Sequence, residues 1–119
     1  MRWLVFLWLG FVTALSLAPL SVKSMLGAKG HFHEAGHLII FLITAVLLCW
    51  TAVTVRARLL RYLAVCCFGV AMETLEAIVY GNRFEWEDVL FDFAGAFIGV
   101  IVMSLVSSSF ERAEISTDR

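Results

Sequence analysis

Residues 31–41, HFHEAGHLIIF, hold the densest group of side chains able to do chemistry, and His33-Glu34-Ala35-Gly36-His37 matches the H-E-x-x-H pattern of zinc peptidases. On a helix the two histidines stand one turn apart and can offer imidazole nitrogens to one zinc ion, with Glu34 as general base for a bound water. Such a site needs a third protein ligand. Glu73 or Glu76 could supply it, which gives His33, His37 and Glu73 as one expected metal set. Three points weigh against proteolysis. The window is His-rich, so a chance match is easier. His33 and Glu34 fall at the start of a helix, where such enzymes hold their histidines in mid-helix. A chain of 119 residues also leaves little room for a peptide cleft or an aligning strand. The leading expectation therefore assigns no catalytic residue and no cofactor, with an intramembrane zinc metallopeptidase as the alternative.

A second group is acidic. Glu73, Glu76 and Asp92 lie inside long apolar stretches, where an acid costs on the order of 2.5–3.5 kcal/mol and so faces the bundle interior beside a partner. Gly69, Glu73, Glu76 and Tyr80 share one helical stripe, and Asp88, Asp92, Gly95 and Gly99 share another. The second stripe contains a G-x-x-x-G, Gly95 to Gly99, whose small residues let helices approach closely in lipid. His33, His37, Phe41 and Thr44 make a third. Together these stripes bring Lys29, His31, His33, His37, Glu73, Glu76, Arg83, Asp88 and Asp92 toward one face of the membrane, as a ligand-binding site would. Two plainer readings compete: Glu85, Glu87 and Asp88 as solvated charges at a helix start, and Glu73, Glu76 and Asp92 as a hydrogen-bonded network that only fixes helix register.

The elements that must carry these residues follow from composition. The chain is 61% apolar and only 16% charged, with a mean hydropathy of +0.91, so its solvent is lipid. A net charge of −1 lacks the basic excess that nucleic acid would demand. Residues 3–20, 36–55, 62–80 and 89–106 are each apolar over roughly the 17–25 residues a spanning helix needs. The expected fold is an all-α integral membrane protein of four transmembrane helices, one domain over residues 1–110. Its last two helices form a tight antiparallel hairpin, and a charged, disordered cytoplasmic tail covers 111–119. Arg2, Arg56, Arg58, Arg61, Arg112 and Arg119 against Lys23, Lys29 and Arg83 favour both termini inside, in a multi-pass protein of the cell membrane. A cleaved signal peptide is an alternative for the first stretch, which is nevertheless longer than the usual h-region of about 7–15 residues. Cys49, Cys66 and Cys67 all fall within spans, where they read as small buried side chains and leave no exported disulfide framework.

Residues 72–100, METLEAIVYGNRFEWEDVLFDFAGAFIGV, resemble the VanZ-like family of small integral membrane proteins. That pattern has a Glu in a span, a Gln three residues later, an Arg-containing turn, an Asp, an Asn four residues on and then a Gly. Glu73, Asp88 and Gly95 take the Glu, Asp and Gly positions, while His37 and Phe41 fit an earlier His-plus-aromatic motif, with His33 beside it. Glu76 stands where Gln is usual, Asp92 where Asn is usual, and Arg83 one position late, so the pocket is more anionic than the family pattern. The resemblance implies membrane location, an outward-facing polar site and a link to the cell envelope or to teicoplanin-type glycopeptide resistance. The expected binding residues are His33, His37, Glu73, Glu76, Arg83, Asp88 and Asp92, with Gly95 and Gly99 for packing. The expected ligand is a membrane lipid or a lipid-linked envelope component. A third reading is a small assembly subunit, a homo- or hetero-oligomer in which Gly95 and Gly99 dock another membrane protein or a second copy.

Overall fold

A computed structural model describes residues 2–25 and 31–117, with no side-chain description for Leu20, His31 or 111–117. Lys29 and Arg119 lie outside the described residues, as do the side chains of His31 and Arg112. The described chain is helical: α1 (Arg2–Ser16), α2 (Leu20–Met25), α3 (His31–Cys49), α4 (Val55–Tyr80) and α5 (Trp86–Thr117), with no strand among the described residues. Three helices are long and apolar enough to cross a membrane, over Phe32–Cys49, Val55–Tyr80 and Trp86–Phe110. Their large apolar side chains point outward in number, among them Leu59, Leu63, Ile78, Leu90, Phe97, Ile101 and Leu105, as a lipid-solvated surface requires.

The first apolar stretch differs from expectation. α1 holds 15 residues, about 22 Å at the usual rise, against a hydrocarbon core of roughly 30 Å. The apolar run continues past Ser16, but Pro19 turns it. Proline biases the residue before it away from helical backbone, and its own carbonyl starts α2 by accepting from the N–H groups of Val22 and Lys23. The tail is also corrected. α5 stays helical to Thr117, so most of 111–119 continues the last helix instead of leaving it. Glu111, Arg112 and Ala113 are good helix formers added to an established helix, where elongation is far easier than nucleation.

α3 is the central helix and packs against α1, α4 and most extensively α5. A Cβ on Gly95 would collide with the carbonyl oxygen of Leu38, and one on Gly99 would lie 2.8 Å from the Cβ of Ala45, beside Leu42. The G-x-x-x-G therefore serves α3 within the chain, and the docking face expected for an assembly subunit is already occupied. Below the glycines the core is Phe41, Ala45, Val65 and Ala96, continued by Cys49, Ala52 and Met103. All three cysteines are free thiols; Cys49 and Cys66 are buried as expected, whereas Cys67 is exposed on the outer surface.

The connections fix the ends. Thr54 caps α4 by accepting from the N–H of Ala57, and Gly81 closes it at φ 65°, a left-handed backbone that glycine adopts without a Cβ penalty. At that α3–α4 junction Arg61 donates to the Leu48 carbonyl and Arg58 to the Ala52 carbonyl at 3.1 Å. The arginines counted for orientation thus also satisfy carbonyls left open at and just after the C-terminus of α3.

Candidate functional site

α3 and α5 run in the same direction, and the glycine-permitted close approach brings their first turns into register. His33 on α3 faces Asp88 on α5, with Nε2 3.0 Å from Oδ2; one turn deeper, His37 Nδ1 lies 2.8 Å from Asp92 Oδ1. His37 Nε2 also comes within 3.6 Å of Asp88 Oδ2, so both imidazoles converge on one carboxylate oxygen. The two rings meet edge to face at 4.7 Å between centroids. The stripes read from the sequence hold, and their partner is now visible: the same offset of 55 residues relates both His–Asp pairs.

Burial separates the acids. Asp88 and Asp92 are 6% and 2% exposed and Glu73 is 7% exposed, so none of the three is a solvated charge. Glu85 and Glu87 are exposed, Glu87 at the start of α5 and Glu85 on the turn before it, where it also borders a cavity. Partial loss of hydration and the adjacent Asp88 push the Glu85 carboxyl above the ordinary glutamate range. Asp92 fits because α4 has a glycine opposite: a Cβ on Gly69 would stand 2.8 Å from Asp92 Oδ2.

α4 contributes the second half. Glu73 Oε1 accepts from the backbone N–H of Glu85 at 2.8 Å, tying the α4–α5 turn back to the helix before it. Glu76 pairs with Lys23 of α2 and accepts from the hydroxyl of Ser16 at 3.2 Å. Tyr80 donates to the carbonyls of Leu17 and Ala18, at 2.7 and 3.0 Å, the open end of α1. Among the described residues no buried side-chain nitrogen or oxygen lacks a hydrogen-bond partner, so each of the buried acids is tolerated because it is partnered.

Two cavities meet at these residues. The larger, about 480 Å³, is polar and bounded by Lys23, Glu73, Glu76, Arg83, Glu85 and Asp88. The smaller, about 310 Å³, runs inward between α1, α3 and α4 past Val12, Leu15, Ile40, Phe41 and Met72. Lys23, His33, Glu73 and Glu76 line both. Each of the seven expected binding residues thus borders one or both of these cavities, His37 and Asp92 the smaller, Arg83 and Asp88 the larger, and His33, Glu73 and Glu76 both.

The zinc set expected from the sequence changes. The carboxylate sharing a point with His33 and His37 is Asp88, each residue placing one donor atom within 4.8 Å of the others, whereas Glu73 is engaged with the turn. Lys23 was missed as a site residue. In the sequence it is one basic residue of a polar connection, and nothing there signals that α2 folds back 53 positions to reach Glu76. Comparison with known proteins adds no constraint: no family model, curated protein or solved structure matches the chain.

Proposed function

We propose that this chain is a VanZ-like integral membrane protein that receives the polar head group of an envelope lipid, or of a lipid-linked envelope component, at the outer leaflet of the cell membrane. In this reading it spans the membrane four times with both termini in the cytoplasm. α1 makes the first crossing as a short helix, and the shortfall is taken up by local thinning and by residues 17–20. Arg56, Arg58 and Arg61 lie on the cytoplasmic side and the His–Asp ladder on the other.

The observation that carries the reading is the pair of cavities with a shared wall. A polar chamber of about 480 Å³ next to an apolar one of about 310 Å³ matches an amphiphile, whose head and first alkyl segment need different surroundings at a fixed separation. Four carboxylates, Glu73, Glu76, Glu85 and Asp88, line the polar chamber with only Arg83 and Lys23, the latter already paired with Glu76, so a ligand that brings or shares positive charge suits it. No reaction is required. The envelope role, including a link to teicoplanin-type glycopeptides, is what the VanZ resemblance adds.

The test is teicoplanin susceptibility of cells expressing the full chain, alongside lipid analysis of the protein extracted from their membranes. Wild type is expected to shift susceptibility and to retain a defined lipid. Glu73→Gln should reduce both at least fivefold at an unchanged membrane level. Parallel loss of protein and phenotype would assign Glu73 to folding, and a bare protein without phenotype would end the proposal.

A further inference from the structure

We infer that His33, His37 and Asp88 form a mononuclear binding site for a divalent transition metal of the zinc type, at the junction of the two cavities. The first argument is geometric. Zinc–ligand bonds of about 2.0–2.1 Å place the donors of a tetrahedral site about 3.3 Å apart. Asp88 Oδ2 stands 3.0 Å from His33 Nε2 and 3.6 Å from His37 Nε2, which brackets that edge, and the full triad of donors lies within 4.8 Å. Small rotations of the imidazoles would admit an ion at their common centre.

The second argument is the support behind the ligands. His37 has its other nitrogen, Nδ1, 2.8 Å from Asp92 Oδ1, and Asp92 is 2% exposed. A histidine whose far nitrogen donates to a buried carboxylate is the usual arrangement behind a metal-bound imidazole: it fixes the tautomer, aims Nε2 at the ion and raises its basicity. Gly69 keeps room for that carboxylate. A structural His–Asp pair would need only one such contact, yet here two imidazoles converge on one oxygen while a second acid orients one of them.

The donor set selects the ion. Two imidazoles and one carboxylate suit zinc and its first-row neighbours, whereas magnesium and calcium prefer an all-oxygen shell. Three protein ligands leave a coordination position open, and His33 and Asp88 border the cavity that Lys23 and Arg83 also line. The site also answers the acid excess, because a dication among Asp88, Asp92 and Glu73 offsets like charges that otherwise repel. It goes beyond the head-group reading and can hold without it.

The experiment uses the full chain in detergent micelles, stripped with chelator and titrated with ZnCl₂ under calorimetry, with CoCl₂ as a spectroscopic substitute. The expected result is one equivalent of zinc per chain and the intense visible bands of four-coordinate Co²⁺. Affinity should fall at least 100-fold in His37→Ala and in Asp88→Ala, fall about 10- to 100-fold in Asp92→Asn, and stay unchanged in Gly10→Ala, a position with open space around it. Less than a tenth of an equivalent bound, or unchanged affinity in the His33→Ala/His37→Ala double variant, overturns the inference. Should the variants not fold, the wild-type Co²⁺ spectrum decides, and the weak bands of a six-coordinate aqua ion overturn it. Zinc bound without retained lipid supports this site and removes the head-group reading; retained lipid on a protein that takes no zinc does the reverse.

Discussion

Asp88 and Asp92 show how single residues divide the work. Both sit on the face of α5 that meets α3, one turn apart, and each is matched by a histidine one turn apart on the facing helix. Removing a histidine takes a partner from a buried carboxylate, and removing an aspartate takes one from a half-buried imidazole, at a cost of about 1–3 kcal/mol. Asp92→Ala is therefore expected to lower the unfolding free energy in detergent by about that amount. In a double-mutant cycle with His37→Ala the two changes should couple by about 0.5–3 kcal/mol. Additive effects would mean that the pair is not formed. Much of this site was legible from residue types, because acids inside apolar helices must face something polar. What they faced was not legible: the sequence gives each stripe's position on its own helix and no measure of how two helices are offset.

At the scale of elements, the glycines set that offset. Gly95 and Gly99 lie against Leu38 and Leu42, so the register that pairs His37 with Asp92 is set by where two backbones touch. Gly95→Ala would drive a Cβ into the Leu38 carbonyl and is expected to cost about 1–3 kcal/mol, with the whole α3–α5 contact loosened. Gly10→Ala on α1, with nothing nearby, should be neutral or slightly stabilising. Thermal unfolding of the two variants side by side checks the pair. Tyr80 is the corresponding lock for α1, since its hydroxyl satisfies the Leu17 and Ala18 carbonyls just past the end of that helix. Tyr80→Phe should cost about 0.5–1.5 kcal/mol and speed amide exchange over residues 16–25. Unchanged exchange there would dissociate Tyr80 from the hinge. Hydropathy found the three helices of membrane-spanning length because their apolar signature is long, but the expected 36–55 overruns the end of α3 at Cys49 and the expected 62–80 omits the start of α4 from Val55. It misplaced the end of α1 because Leu17, Ala18 and Leu20 remain apolar while Pro19 changes the backbone, a conflict that a hydropathy average conceals. The expected disorder of the charged tail differs from the structure for the opposite reason, since charge says little about whether an existing helix continues.

At the scale of the whole molecule, a small bundle about 61 Å long gathers His33, His37, Glu73, Glu76, Asp88 and Asp92 toward one end. Its opposite junction is closed by Arg58 and Arg61. The proposed action at the outer leaflet rests on which of these ends faces out. Impermeant maleimide labelling of Asn82→Cys in intact cells, on a chain whose three native cysteines are replaced by serine, tests it most directly, because Asn82 lines the polar chamber on the turn between α4 and α5. Labelling of Asn82→Cys without permeabilisation is the predicted result. Labelling only after the cells are opened would place the His–Asp ladder and its cavities on the cytoplasmic side and contradict the account.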